Sequence, residues 1–306
     1  MGNRKWCGQT MVGIWFRRFL LVFSVLFFSL QTLASDTLFE GYYKITSGDQ
    51  HIGFSILRYQ FDAKKKQFTS QMLNRISAGG NVVMESLVAK ADATLNPISY
   101  KYTSIVGTQT KTIDAQFSKG KMSATITETG KKKISVKNDI KPGTFLSTFL
   151  VYTMLRSPTG IQTKSNYTYK AIAEEDATVE TGTAKVLKEE KYKGFGAFRI
   201  ENTFKNSRFV SFVTDKGEAL ATEVKDAHIL SELVPQASEA IGTIGLPEAV
   251  VKTVFGSVPS GEKNVVSQYF KSLENQPKAG KQIGVPGGKG IILKGKSPSG
   301  KTQEGP

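Results

Sequence analysis

The sequence predicts a mainly all-β protein: an antiparallel meander that forms a partly open barrel or clam crossed by one apolar helix. Apolar and polar residues alternate over most of residues 39–226, as in KTIDAQFS and KMSATITE, which is typical of strands with one buried face. These segments recur about every ten residues and are joined by short turns such as Gly48-Asp49 and Lys119-Gly120. An antiparallel sheet of that many strands has to curl or close.

One apolar segment interrupts the meander and is predicted to be helical over about residues 144–156. Its apolar residues recur with helical spacing, Thr144 is a candidate N-cap, and Ser157-Pro158 would end the helix. The concave face of a curved sheet has room for such a helix. Two alternatives follow for this helix: a permanent plug of the core, or a lid over an apolar cavity.

The first 34 residues have the composition of an export signal. Arg17 and Arg18 precede an apolar run over residues 19–30, and Ala34 offers a cleavage point. The run is shorter than the roughly 20 residues of a membrane-spanning helix, so we expect cleavage rather than retention as an anchor. Translation could start at Met1 or at Met11, and twin-arginine export is the weaker alternative route. We therefore expect an exported protein, periplasmic in a bacterium with two membranes.

The chain after the export signal is predicted to have three parts. The β domain covers residues 35–226 and short helices cover 227–275, one of them started by Pro247. Residues 276–306 are predicted to form a flexible basic tail rich in glycine and lysine. The last helix is amphipathic, and docking on its own domain is the default expectation. Its apolar side is formed by Val265, Val266, Tyr269, Phe270 and Leu273.

The formal net charge of +15 falls to about +11 without residues 1–34, which hold four positive and no acidic residues. Such a surplus favours anionic partners, including lipid headgroups and envelope polymers. Lysine clusters at turns and strand edges also keep β proteins unpaired and dissolved, so the charge alone does not identify a partner.

Catalytic and cofactor motifs are scarce. The tail matches the phosphate-loop pattern twice, ending at Lys296-Ser297 and Lys301-Thr302, but no helix of useful length can follow either match. Nucleotide and nucleic-acid binding are therefore not expected. With Cys7 as the only cysteine and His51 and His228 as the only histidines, we expect no cofactor and no metal site. The acidic cluster at residues 174–176 is expected to face solvent, and a hydrolase ranks below the other functions.

The chain resembles a large family of exported bacterial proteins known only as a domain of unknown function, more specifically in its second half than in its first. The resemblance rests on LSTFLVYTMLRS, VLKEEKYKGFGAFRIEN and SFVTDKGEALATEV, and it extends over about residues 41–224. It implies an all-β, partly open barrel crossed by one helix, and it implies no reaction. The spacing around Gly194 fits the family pattern only loosely. The matching positions are Ser147, Tyr152, Leu155, Arg156, Glu190, Gly194, Phe195, Ala197 and Arg199.

We expect a non-enzymatic envelope protein whose concave β face binds an apolar or amphipathic molecule such as a lipid. The alternative is a structural or adaptor protein that contacts an envelope protein or an anionic polymer through its basic tail and last helix. Nothing in the sequence indicates the oligomeric state. The candidate ligand-binding residues are Phe145, Phe149, Tyr152, Tyr100, Tyr102, Phe198 and Phe212.

Overall fold

The computed structural model describes residues 35–78 and 80–275. The predicted export signal, the basic tail and both phosphate-loop matches lie outside these residues. The strands are β1 (Asp36–Ser47), β2 (Gln50–Asp62), β3 (Gln67–Ala78), β4 (Asn81–Asp92), β5 (Pro97–Val106), β6 (Gln109–Ser118), β7 (Lys121–Glu128), β8 (Ile134–Asp139), β9 (Phe145–Leu146), β10 (Asn166–Ala173), β11 (Thr178–Tyr192), β12 (Phe195–Phe204), β13 (Ser207–Val213), β14 (Ala219–Val224) and β15 (Ile229–Val234). The helices are α1 (Leu150–Leu155), α2 (Ala237–Ile241), α3 (Glu248–Phe255) and α4 (Val265–Glu274), with 3-10 turns at Ser147–Phe149 and Lys225–Ala227.

All 15 described strands form one sheet, in the order β8 to β1 followed by β15 to β9. Neighbouring strands are antiparallel, except that β9 pairs with β10 in parallel. Strands β1 and β15 lie side by side at the centre, with Tyr42 opposite Val234. Because β8 and β9 are the two edges, the sheet is open, and the predicted mainly β, partly open architecture is confirmed.

The sheet curls until its two edges approach each other. Asn138, on β8, donates from Nδ2 to the carbonyl oxygen of Ala177 at 3.3 Å, and Lys111, on β6, lies 3.6 Å from Asp176. Side chains of β4 to β7 share one apolar cluster with β9, β10 and Phe149. The sheet therefore has an enclosed face, toward which α1 points, and an opposite face.

The prediction of a helix immediately after residue 226 is wrong, because Ile229–Val234 is strand β15. This strand bonds β1 on one side and β14 on the other, so it supplies partners for the backbone groups of both neighbours. Leu233 is buried in an apolar cluster with residues of β1, and Val234 is buried under the C-terminal helices. Pairing with two strands outweighs the helical spacing of the local sequence.

The predicted helix over residues 144–156 is also shorter than expected. Phe145 and Leu146 pair with Ala171 and Ile172 as a short parallel strand, and the α-helix begins only at Leu150. Thr144 therefore is not an N-cap. The chain instead enters α1 through the 3-10 turn at Ser147–Phe149. The buried side chain of Glu174, which follows β10, accepts a hydrogen bond from the backbone N–H of Thr148 in this turn.

The C-terminal helices cover the opposite face of β1 to β3. Helix α3 begins directly after Pro247, as predicted, and its Val251 and Phe255 pack on Phe54 and Leu73. Helix α4 docks by its first turn, where Asn264 is the N-cap and Val266 is buried against the end of the sheet. Later in α4, Tyr269 stands edge-on to Phe195 of β12 with ring centroids 5.4 Å apart, and Tyr269, Phe270 and Leu273 remain exposed.

Candidate functional site

The enclosed face of the sheet is filled by aromatic side chains around α1. Phe149 is completely buried, and its ring lies 6.1 Å from that of Tyr59 and 6.3 Å from that of Phe68. Tyr152 stands edge-on to Tyr59 at a centroid distance of 4.9 Å. This packing corresponds to the plug alternative, because the helix contributes core side chains rather than covering an empty space.

A buried polar cluster lies beside this aromatic core. Glu174, which follows β10, accepts a hydrogen bond from Ser147 Oγ at 2.5 Å and one from the backbone N–H of Thr148 at 3.3 Å. Tyr59 Oη donates to the Thr148 carbonyl oxygen at 2.6 Å, and Ser70 Oγ lies 2.8 Å from Thr148 Oγ1. The cluster holds the start of α1 against strands β2 and β3.

Burial, with a smaller contribution from the neighbouring carboxyl of Glu175, raises the pKa of Glu174 to about 7 against the opposing hydrogen bonds from Ser147 and Thr148. The expectation that residues 174–176 all face solvent is therefore wrong for Glu174, which is 3% exposed. No feature of the three consecutive acidic residues distinguishes the first. Its burial follows from the curl that brings β9 over β4 to β7.

We expect the wild-type protein to become less stable as the pH rises, because Glu174 then loses its proton. In Glu174→Gln this pH-dependent fall in stability should be absent. Between about pH 4.5 and 7 the folded protein keeps the Glu174 proton and the unfolded chain has released it. The free energy of unfolding therefore falls with rising pH across this window, by up to about 3 kcal/mol, and glutamine cannot contribute this fall. Urea unfolding of both proteins at pH 5 and pH 8 measures the difference.

The matched control for Glu174→Gln is Glu175→Gln, at a partly exposed neighbour paired with Lys205 at 2.8 Å. The control variant should retain most of the wild-type slope between pH 5 and pH 8, because the Glu175 carboxyl contributes least to the raised pKa of Glu174. Identical pH profiles for wild-type protein and Glu174→Gln would contradict the assignment of this slope to Glu174. The groups facing Glu174 in this comparison are Glu175, Tyr59 and Tyr100, and both phenols have raised pKa values, so they stay neutral throughout.

A groove with a volume of about 730 Å³ opens between α1 and the edge of the sheet. Its buried lining residues are the apolar Leu95, Phe145 and Met154 and the polar Thr144, and the exposed cations Arg156 and Lys170 also line it. The remaining polar lining residues are Thr94, Asn96, Thr153, Ser157, Asn166 and Thr168. The ring of Tyr169 forms part of one wall, because it lies across Gly182 of β11, where a Cβ atom would come within 2.4 Å of the ring. The apolar lining residues are Leu95, Phe145, Leu150, Met154, Tyr167 and Tyr169.

The seven candidate ligand-binding residues do not converge on one cavity. Phe145 lines the groove beside α1, and Phe198 lines a separate depression near Asp215. Tyr100 and Tyr102 are buried core residues with the completely buried Phe149, and Tyr152 packs against the same cluster. Phe212 is half-buried and packs against Tyr192, with tilted rings whose centroids are 4.5 Å apart. Alternation identifies buried aromatic residues but not those that border a groove.

The groove residues that the sequence did not identify lie in the β4–β5 turn, in α1 and the segments around it, and on β10 beside the short edge strand β9. Leu150 and Met154 belong to the predicted helix, but the helical pattern does not tell the groove side from the core side. Tyr167 and Tyr169 alternate along β10 in NYTYKAIA, which indicates one shared face without showing that it lies at an edge.

Within the described part of the chain, no group of three or more histidine, cysteine or acidic residues is placed to hold a metal ion. Among its helices, none combines the length and the apolar character needed to cross a lipid bilayer.

No family model matches the chain, and no curated protein matches it. One similar solved structure is a beta-barrel-like protein of domain of unknown function DUF1849 from Brucella abortus, with 14% identity, a TM-score of 0.49, and coverage of 66% of this chain and 98% of that one. A DUF1089 family protein from Pseudomonas aeruginosa has 10% identity, a TM-score of 0.33, and coverage of 56% and 90%. At these identities, and with both TM-scores below 0.5, neither structure assigns a function to this chain.

Proposed function

We propose that this protein is an exported, non-enzymatic component of the cell envelope that binds an amphipathic, lipid-like molecule in the groove between α1 and β10. The groove itself is the observation that supports this proposal. Its volume of about 730 Å³ lies within the usual range for small-molecule sites, about 300–1,000 Å³. Its buried apolar residues and its exposed cations suit a molecule with an apolar chain and a polar or anionic end. Export rests on the composition of residues 1–34.

The groove is a better location for the ligand than the centre of the enclosed face. The centre is occupied by Phe149 and its aromatic neighbours, so a ligand there would have to displace core side chains. The groove is reached from solvent without such a displacement, and Phe145 and Met154 continue its lining into the core. Binding an acyl chain there would bury more apolar surface and leave the core packing intact.

A non-enzymatic role agrees with the chemistry of the one strongly buried acid in the enclosed face. Glu174 is hydrogen-bonded to Ser147 and to the backbone of Thr148, so its carboxylate is occupied in holding the start of α1. A general acid needs access to a substrate, and Glu174 is not among the residues that line the groove. Its interactions account for a structural role.

The proposal is tested by native mass spectrometry of the full chain expressed in a bacterium and recovered from the periplasm. We expect a bound amphiphile of lipid mass, and an N-terminus at Ser35 if the signal is cut as predicted. Thr153→Trp should empty the protein, because Thr153 is a half-buried groove residue of α1 and the indole would fill the space. The melting temperature should change little in comparison with the loss of lipid.

Thr127→Trp is the matched control, since Thr127 is an exposed strand residue that does not line this groove. If Thr153→Trp fails to fold, Thr168→Trp blocks the same groove from the exposed side of β10. The proposal fails if wild-type protein is empty and takes up no added lysophospholipid. It fails equally if both groove variants retain lipid at the level of the control.

A second candidate function is adaptor binding through α4. Tyr269, Phe270 and Leu273 are each more than 40% exposed in the second half of this helix, next to a groove of about 410 Å³ that includes Phe270 and Glu239. Exposed apolar groups on one helix face are typical of protein contacts. An empty, monodisperse protein in the mass spectrometry experiment would favour this second function.

A further inference from the structure

We propose that the ligand carries a phosphate group, which binds in a second groove that shares lining residues with the first. This inference rests on the proposed function and adds the chemical class of the headgroup. The second groove has a volume of about 360 Å³ and lies between the β6–β7 turn and the segment leading to β9. The shared lining residues of the two grooves are Asn96, Pro142, Gly143 and Thr144.

Three lysines surround the second groove. Lys119 and Lys121 flank the tip of the β6–β7 hairpin, and Lys141 follows β8 on the opposite side of the groove. The hairpin tip is held to the segment after β8, because the N–H of Ile140 donates to the carbonyl oxygen of Gly120 at 2.7 Å. The three ammonium groups are therefore attached to backbone segments whose relative position is fixed.

The lysines of the second groove are not neutralised by acidic neighbours. Neither groove has an aspartate or glutamate in its lining. Asp139 is the register partner of Lys121, yet in the described residues it forms no ion pair within 4 Å with that lysine or any other. Other lysines of the described residues also have no ion pair, and these three are distinguished by lining one groove that has no acidic residue in its lining. The unpaired cluster therefore provides a local positive potential for an anion.

Thr144 lies where the two grooves meet and has an unsatisfied hydroxyl. The residue is 3% exposed, and its Oγ1 atom has no hydrogen-bond partner within the described structure. A buried hydroxyl without a partner costs free energy, so the structure gains when an acceptor approaches it. Because Oγ1 is itself closed off from solvent, a phosphate at this junction would reach the hydroxyl only with a local shift of the groove lining.

The combination of three lysines and one hydroxyl favours a phosphate over a carboxylate. A phosphate monoester offers three terminal oxygens and between one and two negative charges near neutral pH, so it can satisfy several donors from different directions. A carboxylate has two oxygens in one plane and a single charge. Lysine ammonium groups bind phosphate as point charges from any direction, which suits donors contributed by two separate segments.

The test compares hexadecyl phosphate with a neutral hexadecyl glycerol ether by fluorescence or calorimetric titration, below the concentration at which either forms micelles. In the triple variant Lys119→Asn, Lys121→Gln and Lys141→Gln we expect the affinity for hexadecyl phosphate to fall about tenfold or more. Asparagine is chosen at 119 because this residue has φ +51°, in the left-handed region that asparagine tolerates. Affinity for the neutral ether should be unchanged, and inorganic phosphate should compete only with hexadecyl phosphate.

The matched control replaces Lys131, Lys132 and Lys133 with glutamine, which makes the same change in net charge at the other end of β7. If both triple variants lower the affinity for hexadecyl phosphate equally, or if neither lowers it, the phosphate inference is wrong. Binding of amphiphiles as such would remain possible in that case. If neither amphiphile binds but inorganic phosphate does, and only the groove variant abolishes this, the site serves free phosphate and the proposed lipid function is wrong. If no phosphate compound binds, the inference is wrong.

Discussion

Replacing Glu40 with alanine is expected to lower the free energy of unfolding by about 3–5 kcal/mol, because it leaves the buried guanidinium of Arg58 without its counter-ion. Arg58 Nε lies 2.6 Å from Glu40 Oε2, and the two residues are only 8% and 6% exposed. The pair joins β1 to β2 at positions that are opposite each other in the sheet. An unpaired charge at this depth has little access to water.

The same pair fastens the C-terminal helices to the sheet. Glu40 Oε1 accepts hydrogen bonds from Ser260 Oγ at 3.0 Å and from the Gly261 N–H at 2.7 Å. Arg58 Nη1 donates to the Phe255 carbonyl oxygen at 2.9 Å, and its guanidinium lies 5.3 Å from the centre of the Phe255 ring. Loss of Glu40 should therefore loosen the chain between α3 and α4 as well as destabilise the sheet.

Chemical denaturation measures the stability loss, and hydrogen exchange at residues 248–264 measures the loosening. The control is Glu248→Ala, which breaks an exposed pair with Lys252 at 3.0 Å and should change stability very little. A double variant, Glu40→Leu with Arg58→Met, should recover part of the loss because it removes both charges. If Glu40→Ala were as stable as Glu248→Ala, the pair would not anchor the C-terminal segment.

Truncating Phe149 to alanine is expected to destabilise the protein by about 3–5 kcal/mol, and replacing it with aspartate should prevent folding. Phe149 is completely buried among residues from both halves of the sheet. Alanine leaves a cavity between α1 and the aromatic rings of Tyr59 and Phe68, since those rings are held by other contacts. Aspartate places an unpaired charge in the same space.

Urea unfolding monitored by far-ultraviolet circular dichroism tests the role of Phe149. Phe270→Ala is the matched control, because Phe270 is 44% exposed on α4 and its truncation removes little buried surface. The experiment also separates the plug from the lid. A protein with Phe149→Asp that folds normally and loses only its ligand would identify α1 as a lid, and one that also keeps its ligand would contradict both alternatives.

The candidate site shows how far sequence reasoning reaches in this protein. Alternation and helical spacing identified Phe145, Phe149 and Tyr152 as apolar residues of one segment, and the structure places all three beside or within the core. These sequence patterns could not distinguish a groove wall from a core position, because both require an apolar side chain. Glu174 and Thr144 were assigned wrong environments, since a polar residue carries no local sign of being buried by a distant strand.

By itself the sequence determined most of the strands, the turns between them, helices α3 and α4, and the open, curled nature of the sheet. These features depend on side-chain periodicity and turn residues, which act between near neighbours in the chain. Only the tertiary structure decided that Ile229–Val234 is a strand between β1 and β14, that α1 begins at Leu150, and that Glu40 meets Arg58 under the C-terminal helices. Those outcomes depend on backbone partners and buried charges contributed by distant segments, and periodicity contains no information about them.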